Sequence, residues 1–592
     1  MIQTLAYYIR KTADSLLRNT WRTFFWVFAI LLALVLPLTS LVYGITWDEW
    51  ETSNNGILAL RNILTWGQDS ALMKVNLAYL YTHFFSVIVS AVYGLLFDNI
   101  HRLARDGLQT ETQILNFFNV SHFINALFGF SAALYAGLFA KKMAGWRAAF
   151  ITLLFVGISP RFFGNSMNNS KDIPFAAVYI FCIYQMSFFL DSLPRVSLKP
   201  TLLTALGVGL CIGTRLGGAI VFVYLFALSF IFLLPPTLEY KINRKDWLRL
   251  IGAFSTIIIL GTAICLIFWP FGRSHNPFEI AQAFAKMSDF KFWDHPLLFE
   301  GNWTLCSKLP WYYISKWILI SSPFFFPAGL IFYVAFRKKN PLTTMRSILL
   351  LAMACFFPLI FILIRHTNVY DSWRHLLFVY PPLVIFAALG WDCFFRFFTS
   401  RPKQIAIGVL IVVLSLEPIV WMVRNSRNIS VYFNPAVGGV HGAFTRYQSD
   451  YWGNCLKESA EWLVTYHQKN YGDFPLASVW ADGTVMQTYP YLKKALGVYY
   501  QPFGYPPDFL QKNPYVLYTF GKNLSRDLPW NYALLMSRER SSEELKTSWP
   551  PPGTIHTIDV DGAPICAVIK NDQFYENLKT IWKKDLTTAP SH

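Results

Sequence analysis

The sequence predicts a polytopic α-helical membrane protein, with about eleven transmembrane helices followed by a small C-terminal α/β domain on the exterior face. Three observations predict it. Eleven windows offer mostly apolar runs toward the roughly 20 residues that a spanning helix needs, with 148–162 and 200–213 the short ones. Only 14% of the 592 residues are charged while 54% are hydrophobic, well below the charged share of about a quarter in soluble domains. After about residue 425 the texture changes: Gly, Pro, Asn and charged residues rise, and no further spanning window occurs.

The windows run over 23–45, 117–140, 148–162, 173–190, 200–213, 217–234, 250–270, 312–335, 347–364, 376–395 and 404–423. Arg10, Lys11, Arg18 and Arg22 precede the first, with no small-residue cleavage site, so it reads as an uncleaved helix that starts in the cytoplasm. Alternate loops are then basic: Lys141, Lys142 and Arg147; Arg195 and Lys199; Lys241, Arg244, Lys245 and Arg249; Arg337, Lys338, Lys339 and Arg346; Arg396, Arg401 and Lys403. Most of the net charge of +17 is therefore an orientation signal and gives no reason to invoke nucleic acid. Residues 77–97 are also apolar, but a span there would invert every later loop. They read as an interfacial or re-entrant helix within a first exterior loop, 46–116.

The chain thus divides into a transmembrane part, 1–424, and an exterior domain, 425–592, expected in the periplasm of a bacterium with the transmembrane part in its inner membrane. In the exterior domain a helix is expected over 454–468, with Leu456, Ala460, Leu463 and Val464 on one face. Strands are expected at 476–480, 515–519 and 555–569, the last folded back at Asp561-Gly562, a hairpin-type dipeptide. Cys182, Cys211, Cys265 and Cys355 fall in spans as small apolar residues. Cys306, Cys455 and Cys566 face the exterior, and their spacing favours unpaired packing residues over one disulfide.

Trp47-Asp48-Glu49-Trp50-Glu51 stands just beyond the first span. Trp forms interfacial belts and acids mark the exterior side, yet a carboxylate against aromatic surface is also raised in pKa and suited to act as a base. Ser159-Pro160-Arg161 and Asn168-Asn169-Ser170-Lys171-Asp172-Ile173-Pro174 follow at the exterior ends of spans three and four, then Thr214-Arg215, then Tyr370-Asp371 with Trp373-Arg374-His375. Cations and carboxylates from distant segments therefore meet on one side. A lipid-linked phosphosugar matches that set: cations hold the phosphate, which leaves as a weak base, and one carboxylate takes the proton of the accepting hydroxyl.

On Asp48-Glu49 after span one and Asp172 opening span four, the chain resembles the GT-C integral-membrane glycosyltransferases, especially the family-39-like group of protein O-mannosyltransferases and aminoarabinose transferases. It also looks like an uncharacterised branch carrying Tyr370-Asp371-Ser372-Trp373-Arg374-His375 before a Pro-Pro span, then Gly438-Gly439 and Asp450-Tyr451-Trp452-Gly453. The resemblance implies inverting transfer from a polyprenyl-phosphate sugar to a lipid, glycan or protein hydroxyl. Asp48 would be the base, Glu49 its neighbour in orienting the acceptor, and Asp172 the carboxylate across the cavity. Arg161, Lys171, Arg215, Arg374 and His375 are the candidates for the lipid phosphate. No DxD motif stands in the corresponding loop, so neither a cofactor nor an obligatory metal is expected. The rival readings are a transporter or lipid flippase, and a membrane assembly subunit with decorative acids.

Overall fold

The computed structural model describes residues 20–75, 80–234, 242–288, 291, 293–339, 344–471, 479–483, 485–496 and 531–571. Arg10, Lys11, Arg18, Lys241 and the strand expected at 515–519 lie outside them.

Among the described residues, eight helices are long and apolar enough to cross a membrane: α1 (Thr20–Ser40), α4 (Glu111–Ala144), α7 (Asp172–Asp191), α9 (Leu216–Leu233), α10 (Arg244–Ile267), α13 (Met345–Arg365), α14 (Arg374–Phe397) and α15 (Arg401–Arg424). Two bent pairs qualify jointly: α5 (Trp146–Gly157) with α6 (Pro160–Asn168), at 64°, and α11 (Tyr313–Ile320) with α12 (Phe325–Phe336), at 112°. The eleventh expected window is the 17-residue α8 (Leu198–Thr214). Each expected window thus coincides with a helix or a bent pair, and α8 is the short one. Between α1 and α4 lie α2 (Glu49–Leu64) and α3 (Phe84–Leu96). At 13 residues, roughly 20 Å, α3 is too short to span.

The break between α5 and α6 follows from Pro160, which occupies the first turn of α6 and has no N–H to continue α5. It turns Arg161 and Asn165 inward beneath the C-terminal segment.

Ion pairs gather at both ends of the bundle. At one, Lys142 Nζ lies 2.5 Å from Asp191, Arg147 and Arg396 each reach the fully buried Asp392 at 2.6 Å, and Arg346 donates to the Leu190 carbonyl at 2.7 Å. At the other lie Asp48, Asp172 and Arg374. The 34-residue α4, roughly 51 Å long, joins them. It starts at Thr110 in a capping box, where Glu111 accepts from Tyr489 of the C-terminal segment, and ends on Lys141 and Lys142.

Beyond α15, helix α16 (Asn454–Tyr471) packs Leu456, Ala460 and Leu463 against a four-stranded sheet ordered β3-β4-β6-β5. A separate hairpin, β1 (Pro296–Phe299) and β2 (Asn302–Leu305), precedes these strands in the chain. Strand β3 (Val479–Ala481) runs parallel to β4 (Tyr532–Met536); β4 with β6 (Ala563–Lys570), and β6 with β5 (Thr554–Val560), are antiparallel. Asp561 and Gly562 turn the β5–β6 hairpin with φ of 50° and 75°, the left-handed conformation such a turn requires. Sequence patterning missed β4, because Tyr532-Ala533-Leu534-Leu535-Met536 is buried throughout and shows no alternation.

The α/β unit is anchored to the bundle by polar contacts. Lys457 Nζ donates to the carbonyls of Val42 and Tyr43 at 2.9 and 3.2 Å, and Asn434 Nδ2 to those of Leu319 and Ser322 at 2.7 and 2.8 Å. Trp421 Nε1 donates to Asp561 at 2.5 Å. One expectation is corrected: Cys455 and Cys566 form a disulfide, while Cys306 is free. The sequence separation of 111 between the two cysteines hid the pairing, since only the packing of α16 on β6 brings them together. Replacing both by Ser is expected to cost the α/β unit about 2–5 kcal/mol. The check is a lower melting temperature in detergent that reductant reproduces in the parent protein and does not alter in the variant.

Candidate active site

Asp48 is the N-cap of α2 and Asp172 the first residue of α7, a position where a carboxylate is favoured by the helix dipole. Asn169 fixes Asp172 further: its Oδ1 accepts from the Asp172 N–H and its Nδ2 donates to Asp172 Oδ2, both at 2.9 Å. Arg215, at the end of α8, pairs with Asp172 Oδ1. Lys171 Nζ lies 3.4 Å from Asp48. Between the carboxylates stands Arg374, whose outer nitrogen is 3.7 Å from Asp48 and 3.8 Å from Asp172, and whose Nε donates to Asp371 at 3.1 Å.

The structure therefore gathers Asp48, Asp172, Lys171, Arg215 and Arg374 from four segments. Glu49, His375 and Arg161 make no ion pair with these five among the described residues. Glu49 is 1% exposed and turned away from Asp48: it accepts from the Thr46 N–H at 2.9 Å and meets His122 Nε2 at 3.1 Å. Successive helical residues point about 100° apart, so the Asp-Glu pair cannot share one face. His375 packs edge-on against Tyr370, with ring centroids 4.5 Å apart, and makes no ion pair among the described residues. Arg161 lies beside Ser372, to which it donates at 3.3 Å, with its guanidinium over Trp317 and Phe433 at 4.9 and 5.0 Å.

Three residues of the site carried no assigned role in the sequence. Tyr451 lies with its ring 4.3 Å from the Arg374 guanidinium and 4.5 Å from that of Arg538, and its hydroxyl reaches Asp48 at 3.5 Å. Asp371 is pinched between Arg374 and Arg538. Asp371 and Tyr451 belong to motifs that stood out; Arg538 had no local signal at all. A narrow cleft adjoins this set, walled by Arg161, Ser372, Arg374, Asp450, Tyr451 and Arg538 among others. Asp371, Ser372 and Asp450 have φ of 57°, 64° and 37°. Such conformations cost about 1–3 kcal/mol each in non-glycine residues and persist where the surroundings impose them.

The electrostatics correct a second expectation. Burial does push the Asp48 carboxyl upward, but Lys171, then Arg374 and Arg215, outweigh it and hold Asp48 below the ordinary carboxylate range. Asp371 behaves oppositely: burial raises it even against Arg538 and Arg374. Asp450 is also raised by burial, although the backbone N–H groups of Cys455 and Asn454 favour its charge. Among the described residues, no group of three or more His, Cys, Asp and Glu is arranged to hold a metal.

Neither a known protein family nor a curated protein matches the chain. Among solved structures it is similar to ArnT from Cupriavidus metallidurans in the apo state, at 15% identity and a TM-score of 0.44 over 92% of this chain and 97% of that one. It is similar also to the apo oligosaccharyltransferase of Archaeoglobus fulgidus, at 13% and 0.41 over 79% of this chain and 63% of that one. A third likeness is to the S. cerevisiae protein O-mannosyltransferase Pmt1-Pmt2 complex bound to the sugar donor, at 14% and 0.32 over 46% and 38%. These likenesses are distant, and the functional reading rests on this chain's own side chains.

The floor of the site depends on one glycine. A Cβ on Gly164 of α6 would meet the backbone of Ser430, with its Cα only 2.8 Å away. Gly164→Ala is expected to lift the 429–433 segment, removing the Tyr432 carbonyl from Arg161, and to cost about 1–3 kcal/mol. Faster proteolysis of the α/β unit, with the helical circular dichroism unchanged, is the readout.

Proposed function

We propose that the protein is a glycosyltransferase that moves a sugar from a polyprenyl-phosphate carrier to a hydroxyl of a lipid, glycan or protein, on the face of the membrane where the α/β unit lies. One observation carries this reading: Arg374 stands between two carboxylates, Asp48 and Asp172, with Lys171 and Arg215 beside them. A carboxylate beside several guanidinium and ammonium groups, at the end of a helical bundle, suits a reaction that deprotonates one partner and releases an anion from the other. Described ion pairs gather at the two ends of the bundle, which favours this over a transporter, whose ionisable path would run through the middle of the spans.

In the proposed reaction the acceptor O–H gives its proton to Asp48, and its oxygen attacks the anomeric carbon. The bond from that carbon to the phosphate oxygen breaks, and its electron pair leaves with the polyprenyl phosphate. Lys171, Arg215 and Arg374 stabilise the growing negative charge, a role in which pre-placed cations are effective away from bulk water. The same cations that lower Asp48 when the site is empty are those the phosphate recruits. Donor binding draws them from the carboxylate and restores its basicity.

Two outcomes follow. With a panel of polyprenyl-phosphate sugars, Asp48→Asn is expected to lose transfer by about 10²–10⁴-fold, while the protein stays folded; unchanged transfer would sink the assignment. Asp48 is ionised above its lowered pKa and loses that charge as pH falls through it. The acid limb of kcat/KM, which reports the free enzyme, is therefore expected below the ordinary carboxylate value of about 3.9. Lys171→Met should move this limb to higher pH.

A further inference from the structure

Arg538 lies in the turn that follows β4, far from every transmembrane helix in sequence, yet its side chain is only 10% exposed and pairs with Asp371, 167 residues away. Asp371 is itself 4% exposed at the side chain and holds Arg374 through Nε. The outer nitrogen of Arg374 is left 3.7 and 3.8 Å from Asp48 and Asp172, beyond hydrogen-bonding distance of either. The charged groups around this relay are Asp48, Lys171, Asp172, Arg215, Asp371, Arg374, Asp450, Arg538 and Glu539, the last 3.4 Å from Arg538 Nε, and both guanidinium groups lie against the Tyr451 ring.

We infer that Arg538 is a positioning residue: it satisfies Asp371 from the α/β unit, so that Arg374 presents its outer nitrogen to the donor phosphate instead of being claimed by Asp371. A buried carboxylate with a single cationic partner binds it tightly, and a guanidinium can offer two parallel N–H groups to one carboxylate. Remove Arg538, and Asp371 takes that bidentate grip. Arg374 is then withdrawn from Asp48 and Asp172, and a phosphate must compete with an internal anion for it. This role rests on the glycosyl-transfer reading.

The test uses the full chain in nanodiscs, with a polyprenyl monophosphate as the binding probe and the neutral polyprenol as its control. Arg538→Gln is expected to weaken binding of the phosphate about tenfold, the effect of losing one charge-assisted contact, and to raise donor KM by a similar factor with kcat within about twofold. Arg538→Lys should stay within about threefold of the parent protein. The discriminating variant is the double one: with Asp371→Asn in place, the competing anion is gone, so adding Arg538→Gln should change phosphate binding by less than about threefold. Polyprenol binding should not respond to any of these changes. A damaged fold would lower both probes together and would not be repaired by Asp371→Asn. The inference is overturned if Arg538→Gln binds the phosphate as the parent does, or if the double variant stays tenfold weaker than Asp371→Asn alone. A parent protein that neither binds the phosphate nor transfers sugar would overturn the underlying reading as well. A parent that does both, with Arg538→Gln unaffected, would overturn only the role of Arg538.

Discussion

One buried guanidinium organises the whole site. Arg374 faces Asp48 from the segment after the first span, Asp172 from the start of α7, and Asp371 from its own loop. Each of these carboxylates also meets a second cation, Lys171, Arg215 or Arg538, and leaving a buried one unpaired would cost several kcal/mol, so the segments are driven to meet where the cations are. The left-handed backbone of Asp371 and Ser372 follows from the same demand, since it bends the loop back until Asp371 can hold Arg374 Nε. The asparagines of α6 and its continuation are the complementary scaffold. Asn165 takes hydrogen bonds from Asn169 and from the Trp452 indole, and so ties the carboxylate of Asp172 to the C-terminal unit without adding a charge.

The C-terminal α/β unit supplies side chains to the candidate site as well as covering it. It supplies Tyr451, whose ring lies against both guanidinium groups, and Arg538, which neutralises the carboxylate behind Arg374. The disulfide joins the start of α16, four residues beyond Tyr451, to the strand that pairs with β4, just ahead of Arg538. The covalent link thus braces the two loops that bring the unit to the site.

Helices were legible in the sequence because the signal is local: a run of apolar residues long enough to cross a bilayer forms its own hydrogen bonds and needs no partner to be recognised. The convergence of Asp48, Asp172, Lys171, Arg215 and Arg374 was legible from alternation of the loops. What was not legible depends on direction or distance. Glu49 differs from Asp48 by one step round a helix, and that step carries it to His122. The lowered pKa of Asp48 depends on which cations lie within a few ångströms, a property of packing. Arg538 is one arginine among many in a polar stretch, and its meaning comes entirely from a contact 167 residues away. The Cys455–Cys566 bond is of the same kind.

The polar seam between bundle and α/β unit has a consequence for biosynthesis. Asp48, Asp172 and Arg374 all precede residue 538 in the chain, so a nascent chain holds these groups in an unfinished arrangement. The last ion pair, Arg538 with Asp371, forms only when the α/β unit has folded on the same face as Asp48. Under the role proposed for Arg538, completion of the site waits on the folding of the α/β unit, and a product truncated before residue 538 would insert with Arg374 held by Asp371 and without its Arg538 counterpart.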